Sequence, residues 1–137
     1  MSSFDYHVHT DLNLIEVHPS GVVQISDIMS YAQEALSLDF VTEGTIEYYD
    51  LSETTDLNAD YESARGLTGL LQEWISRGWH GSVFFTPQKL QFGMIRMMGA
   101  IVESIQDEPA VVMIPRCEPI ALGEARDLIA DYRRAAI

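Results

Sequence analysis

Strand-like and helix-like patterns alternate along this chain, and that alternation limits its fold more than any other feature. Three short segments are rich in β-branched and aromatic residues, which favour strands: TIEYYDL (45–51), HGSVFF (80–85) and AVVMI (110–114). AVVMI is apolar throughout, which predicts a strand buried on both faces. Stretches of helical periodicity separate these segments. Strands that alternate with helices form a mostly parallel sheet with right-handed crossovers, so the sequence predicts an α/β domain.

The amino-terminal segment predicts an antiparallel hairpin at the start of that sheet. Apolar and polar residues alternate over residues 5–18, and the polar sequence TDLN (10–13) supplies the turn. The sequence PSG (19–21) is predicted to end the second strand. Ser26 is then predicted to cap a first helix over about residues 27–37, since Ser is a favoured N-cap residue.

Three more helices complete the predicted order, β-β-α-β-α-β-α-β-α. The second helix has an apolar stripe over residues 61–75, with Asn58 as its expected N-cap and Gly78 at its end. The third covers QFGMIRMMGAIVESI (91–105), and the fourth covers LGEARDLIADYRR (122–134). The predicted sheet therefore has helices packed on it along its whole length.

Length and charge limit the function classes. The 137 residues are the usual size of one domain, so residues 1–137 are predicted to form a single domain. With 21 acidic residues against 8 Lys and Arg, the net charge is −13, and no basic cluster is present. Nucleic acids and anionic membrane surfaces bind through clustered cations, so neither is an expected partner.

Cysteine usage and hydropathy predict the compartment. Cys117 is the sole cysteine, so no intrachain disulfide can form, and we interpret it as a small buried thiol. The amino-terminal sequence MSSFDYHVHT lacks the basic and apolar regions of a signal peptide. No apolar run approaches the roughly 20 residues that cross a bilayer. A cytoplasmic protein without membrane insertion is the expectation.

Four short motifs, together with the predicted order, resemble the STAS domain group. They are LIEVHPSGVVQISDI (14–28), DLS (50–52), FGMIRMM (92–98) and GEARDLI (123–129). The likeness is closer to the SpoIIAA-like branch of small stand-alone bacterial proteins, and it covers about residues 6–132. The resemblance implies a non-catalytic regulatory or protein-interaction module, with a protein partner and no cofactor, like the anti-sigma-factor antagonists of the group.

In those antagonists, an Asp-Ser-Ser-Gly sequence opens the helix after the third strand, and one of its serines is phosphorylated. The matching positions here are Asn58, Ala59, Asp60 and Tyr61. The acceptor serine is missing, so the resemblance implies that Asp60 supplies a fixed negative charge at the helix N-terminus instead. Ser52, Thr54 and Thr55 are hydroxyl residues of the same loop, and we interpret them as solvated turn residues; their phosphorylation is left open.

The expected working surface combines residues 50–60, the turn at Thr86 and the starts of the following helices. Its partner- or ligand-facing residues are predicted to be Asp50, Ser52, Thr54, Thr55, Asn58, Asp60, Thr86 and Arg96. Arg96 lies in an otherwise apolar helix. A snorkelling or ion-paired surface arginine is its commoner explanation, and an anion contact at the carboxyl ends of the strands is its functional one.

Two other functions stay open at this point. A carrier of a small apolar ligand is suggested by likeness to Sec14-like lipid-carrier folds, and the Met- and Phe-rich third helix permits it. A metal-dependent enzyme would use the hairpin, where His7 and His9 share a face and the turn brings Glu16 and His18 alongside them. Exposed histidines are commoner on a hairpin, so no metal is predicted. The oligomeric state is left open, a homodimer included.

Overall fold

In the described part of the chain, six strands form one sheet and five helices pack on it. The structure is a computed structural model that describes residues 3–58, 61–88, 90–106 and 111–136. The strands are β1 (Ser3–His9), β2 (Leu14–Gln24), β3 (Ile46–Asp50), β4 (Thr54–Asn58), β5 (Gly81–Phe85) and β6 (Val112–Arg116). The helices are α1 (Ile25–Ser37), α2 (Tyr61–Arg65), α3 (Thr68–Arg77), α4 (Leu90–Ser104) and α5 (Leu122–Ala136).

The sheet has the strand order β1-β2-β3-β5-β6. β1 pairs with β2 in antiparallel fashion, and all other pairs are parallel. The helices between the parallel strands provide the crossover connections that parallel pairing requires. The predicted α/β class, the amino-terminal hairpin and the mostly parallel sheet are therefore confirmed.

β2 is longer than the sequence predicted, and its length adds a strand to the sheet. It runs for 11 residues through the PSG sequence, so the prediction that this sequence ends the strand is wrong. The first part of β2 pairs with β3, and the part from Gly21 to Gln24 pairs with β4. The register shifts between Gly21 and Val22, and Gly21 has a φ of 73°, which suits glycine at a bulge.

Two helix starts also differ from the predicted ones. α1 begins at Ile25 directly after β2, and its N-cap is Gln24 instead of Ser26. Asp27 explains this start, because its Oδ2 accepts the Gln24 backbone N–H at 2.9 Å and so closes the first turn. The second predicted helix is divided into α2 and α3, and α3 ends at Gly78 with a φ of 109°, as predicted.

The last strand is an edge strand. β6 pairs with β5 alone, and of its residues Ile114 is buried while the others are half-buried. The prediction that AVVMI is buried on both faces is wrong in this respect. Edge pairing also explains how β6 contains Pro115, which cannot donate a ladder hydrogen bond. Cys117 follows the strand and is exposed, which corrects its interpretation as a buried thiol.

Two apolar clusters lie on the two faces of the sheet. The larger cluster packs α1, α2, α3 and α4 against one face. The smaller cluster packs Ala125 and Ile129 of α5 against β3, β5 and β6 on the other face. Arg126 holds α5 to the chain turns, since its guanidinium donates to the carbonyl oxygens of Leu12 at 2.6 Å and Gly44 at 3.0 Å. On the α5 face, the β1–β2 hairpin presents exposed and half-exposed polar side chains.

Gly81 is a position where the fold requires glycine. Its φ is 150°, and a Cβ there would lie 2.5 Å from the Val112 carbonyl oxygen on β6. We expect Gly81→Ala to lower the free energy of unfolding by about 2 kcal/mol or more. Gly93→Ala is the matched control, because nothing lies within 4 Å of its Cβ position on α4. It should raise stability by about 0.5–1 kcal/mol. Urea unfolding measures the free energy of unfolding of both variants. Equal changes in the two variants would contradict the requirement for glycine at position 81.

Candidate functional site

A cleft opens at the carboxyl end of β3, where β2 exchanges β3 for β4 as its partner. We call it the acidic cleft, and it is lined by Asp5, His18, Pro19, Ser20, Asp50, Ser52 and Glu53. The Ser52 N–H donates to Asp50 Oδ1 at 2.9 Å, and His18 Nδ1 lies 3.6 Å from Asp50 Oδ2. Of the predicted site residues, the structure thus brings Asp50 and Ser52 together. Together with Asp5, Glu53 and His18, they give the cleft three carboxylates and one imidazole.

From the cleft, a hydrogen-bonded series of side chains runs along the hairpin, in which Glu16 links His18 to His9. The Glu16 carboxylate lies between two imidazoles, with Oε1 at 2.7 Å from His9 Nε2 and Oε2 at 2.6 Å from His18 Nε2. Partial burial acts to raise the pKa of Glu16, but the hydrogen bonds from both histidines outweigh it and lower this pKa below its usual value. His7 packs its ring edge-on against His9, with 4.6 Å between centroids.

The hairpin residues do not form a metal centre in this geometry. Glu16 uses one carboxylate oxygen for each histidine, so these groups are hydrogen-bonded to one another instead of pointing at a common ion. Within the described ranges, no group of three or more His, Cys, Asp or Glu side chains is arranged to hold a metal ion.

Two of the predicted site residues are buried. Thr54 is 2% exposed, and its Oγ1 donates to the Pro19 carbonyl oxygen at 2.9 Å, because β4 is paired with β2. Thr86 is also buried: its N–H donates to the Arg116 carbonyl oxygen at 2.8 Å, and its Oγ1 donates to the Gln88 carbonyl oxygen at 2.9 Å. The expectation that these two hydroxyls face a partner or solvent is therefore wrong. Strand pairing, which sequence periodicity did not predict here, accounts for both.

The remaining predicted residues lie apart from the acidic cleft or outside the described residues. Thr55 is exposed on β4, and Arg96 is exposed on α4. Asn58 is the last residue of β4, and its Nδ2 donates to Gln24 Oε1 at 3.1 Å. The prediction that Asn58 caps the following helix is therefore wrong. Asp60 lies outside the described residues.

Sequence reasoning missed a buried carboxyl group in the core. Glu47 of β3 is 4% exposed, and we define the Glu47 cluster as Glu47, Tyr31, Tyr49 and Ser82. Tyr31 OH donates to Oε2 at 2.5 Å, Ser82 Oγ donates to Oε1 at 2.5 Å, and Tyr49 adds a third side-chain hydrogen bond. Burial raises the pKa of Glu47 to about 7, although these three hydrogen bonds act to lower it.

The sequence signal for this burial was an acidic residue between apolar and aromatic neighbours in a predicted strand. In TIEYYDL, Glu47 alternates with Ile46 and Tyr48, and either sheet face could have been the solvated one. Because helices cover both faces at β3, the carboxyl group is buried whichever face it takes. Periodicity alone does not reveal this double coverage.

A cavity of about 30 Å³ adjoins the Glu47 cluster beneath the helices. It is lined by Ile28, Tyr31, Ala32, Glu47, Tyr49, Leu67, Leu71, Trp74, Trp79, Phe84, Met98 and Met113. This volume holds no more than two or three water molecules, since one water needs roughly 10–15 Å³. The structure therefore has a polar surface site at the acidic cleft and an internal site at Glu47.

The fold is shared with two solved structures. The anti-sigma factor antagonist SpoIIAA in its unphosphorylated form superposes with a TM-score of 0.51 over 98% of this chain and 100% of its own, at 13% identity. A DUF3478-family protein from Shewanella loihica PV-4 gives a TM-score of 0.53 over 93% of each chain, at 12% identity. The chain has a SpoIIAA-like fold. The resemblance stated from the sequence motifs is thereby confirmed at the level of the fold.

The other comparisons are negative. No protein-family model matches the chain, and no curated protein matches it in sequence. Among the helices described, none is long and apolar enough to cross a membrane. The comparisons therefore show the fold of this chain, and a specific role depends on the chemistry of the acidic cleft and the Glu47 cluster.

Glu47 should make stability fall as the pH rises. Its pKa is about 7 in the folded chain against a usual 4.5, so the folded state keeps a proton that the unfolded state loses. Its contribution is fully present below about pH 4.5 and is lost as the pH rises to about 7, on the order of 2–3 kcal/mol between pH 5 and pH 8. Glu47→Gln should abolish this loss in urea unfolding measured at both pH values.

The control for this measurement is Glu118→Gln, which removes the same type of charge from an exposed position. It should leave the pH dependence of the wild type unchanged. If the Glu47→Gln variant and the wild type lose the same stability between pH 5 and pH 8, the raised pKa of Glu47 is contradicted.

Proposed function

We propose that this chain is a non-catalytic regulatory module that binds a protein partner through the acidic cleft. The observation that carries the proposal is the position of this cleft at the carboxyl end of β3, where Asp50 and Ser52 meet His18. Open α/β sheets bind their ligands outside the carboxyl ends of their strands. The SpoIIAA-like fold supports a regulatory role, because SpoIIAA itself is an anti-sigma factor antagonist.

The charge of the cleft selects the kind of partner. Asp5, Asp50 and Glu53 supply carboxylates, and none of the described lining residues is Lys or Arg. The whole chain carries a net charge of −13, so the long-range field has the same sign as the cleft. Such a field accelerates association with a basic segment and repels acidic proteins. The proposed partner surface is therefore rich in Lys and Arg.

The alternative functions have less support. A carrier of a wholly apolar ligand would need an internal space of that ligand's size, and the cavity under the helices has a volume of about 30 Å³. A metal-dependent enzyme would need the imidazoles that Glu16 already engages. The cytoplasmic location, the single domain over residues 1–137 and a homodimer stay predictions.

Neutralising the cleft should reduce partner binding without unfolding the protein. We expect the double variant Asp50→Asn/Glu53→Gln to lose partner capture at least about fivefold, since rim charges govern association rate and specificity. Its free energy of unfolding should stay within about 1 kcal/mol of the wild type. Capture from an extract of the native host, quantified by mass spectrometry, measures the effect.

The matched control is Asp11→Asn/Glu118→Gln, which removes the same two charges from exposed positions outside the cleft. It should capture the same partners in the same amounts as the wild type. Equal losses in both double variants would show a non-specific charge effect. Unchanged capture in the cleft variant would contradict the cleft as the binding surface.

Phosphate is not expected on the loop that follows β3. Ser52 and Thr55 are exposed, but the position matched to the phosphorylated serine of the antagonists carries no hydroxyl. We propose that Asp60 supplies a fixed charge there instead. Intact-mass and peptide mass spectrometry on protein from its native host should find Ser52 and Thr55 unmodified. Stoichiometric phosphate on either residue would make the loop a displaced switch and would overturn the fixed charge.

A further inference from the structure

When Glu47 is ionised, the Glu47 cluster offers hydrogen-bond acceptors to the cavity and no donor. Tyr31 and Ser82 donate their hydroxyl hydrogens to the carboxylate, and Tyr49 bonds to the same group. The two indoles of the cavity are also satisfied, since Trp74 Nε1 donates to the Ala32 carbonyl oxygen and Trp79 Nε1 to the Gly81 carbonyl oxygen, each at 3.1 Å. A polar ligand atom beside the ionised Glu47 therefore has to be a donor.

The cavity also lacks a positive charge. Of its 12 described lining residues, Glu47 alone carries a carboxylate, and none is Lys, Arg or His. A buried carboxylate without a counter-ion is strongly disfavoured. Five of the lining residues are aromatic, namely Tyr31, Tyr49, Trp74, Trp79 and Phe84. Aromatic ring faces attract cations, so the walls of the cavity and its carboxyl group favour the same kind of ligand.

The space available limits the ligand to a small one. A second cavity of about 20 Å³ lies beside the first and shares four lining residues with it, Ile28, Tyr49, Phe84 and Met98. Methionine adapts its side chain readily, so rotation of Met98 with Ile28 would join the two spaces. The second cavity is lined by apolar and aromatic side chains, with Phe4, Leu57 and Ile95 among them. It suits the apolar end of a ligand whose polar end is at Glu47.

We propose that this internal cavity binds a small primary amine in its ammonium form. Glu47 is the counter-ion, the hydroxyl oxygens of the Glu47 cluster accept further N–H bonds, and a methyl-sized body occupies the apolar space beneath α1 and α4. The site is separate from the acidic cleft and does not depend on partner binding there. It would give the chain a small-molecule ligand in addition to a protein partner.

Binding should depend on the ionisation of Glu47. Tyr31 of α1 and Tyr49 of β3 are the other titratable groups that line the cavity, while α3, α4 and β6 contribute apolar and aromatic side chains alone. Behind Tyr31, Tyr6 donates a hydrogen bond to the carboxylate of Glu34. Because burial raises the pKa of Glu47 to about 7, the ionised form predominates at pH 8 and the neutral form at pH 6. An aliphatic amine keeps its proton over this range, so affinity should be about tenfold higher at pH 8.

The test uses the two tryptophans, since Trp74 and Trp79 are the only ones in the sequence and both line the cavity. Methylamine, methanol and formate are small enough for a space of this size and carry a cationic, a neutral and an anionic group. Each is titrated into the wild-type protein at pH 6 and pH 8 while the tryptophan fluorescence is recorded. We expect a saturable change with methylamine at pH 8, about tenfold weaker binding at pH 6, and at least about tenfold weaker binding of the other two compounds.

Variants separate the carboxyl group from general effects of the amine. Glu47→Gln should lose the response to methylamine, and Glu118→Gln, an exposed control, should keep it. The proposal is overturned if folded Glu47→Gln binds methylamine as tightly as the wild type, if methanol binds equally well, or if no compound gives a saturable change. If Glu47→Gln fails to fold, the comparison of the three compounds at the two pH values on the wild-type protein still tests the proposal.

Discussion

The backbone pairing of β2 with three other strands organises this molecule. β2 pairs with β1 on one side, and on the other with β3 along its first part and β4 along its second. The change of partner leaves a gap in the ladder at the carboxyl end of β3, and the acidic cleft opens there. The same pairing draws Thr54 into the interior and places His18 beside Asp50. Parallel pairs need long connections, so α1 and the other crossover helices follow from this arrangement.

β3 connects the two candidate sites. Side chains of a strand alternate between the faces of a sheet, so Glu47 and Tyr49 point toward α1, α3 and α4 while Tyr48 and Asp50 point toward the α5 face. One short strand therefore supplies the carboxyl group of the internal cavity and a carboxylate of the acidic cleft. An amine at Glu47 and a partner at Asp50 would contact side chains of the same five-residue strand. Thermodynamic coupling between two sites requires an element that both ligands bias, and β3 is the strand that these two sites have in common.

The comparison with SpoIIAA shows what a fold preserves when its sequence does not. At 13% identity the two chains share their topology over nearly their whole lengths. Many sequences satisfy one topology, because it depends on the pattern of apolar positions and on chain connectivity more than on residue identity. A buried acid such as Glu47 is different, since its stability depends on specific hydroxyl neighbours on α1, β3 and β5. It is a property of this chain's own residues.

Local periodicity in the sequence determined the α/β class, the hairpin, the mostly parallel sheet and the helix end at Gly78. Each of these depends on residues close together in the chain, and the two periods of strands and helices can be read from them directly. Tertiary structure decided the rest: that Thr54–Asn58 is a strand, that β6 is an edge strand, and that Glu47 is buried. These features depend on which distant segments pair and on which faces the helices cover. Residues 21–24 and 54–58 are paired across about thirty residues of sequence, and no local pattern encodes that choice of partner.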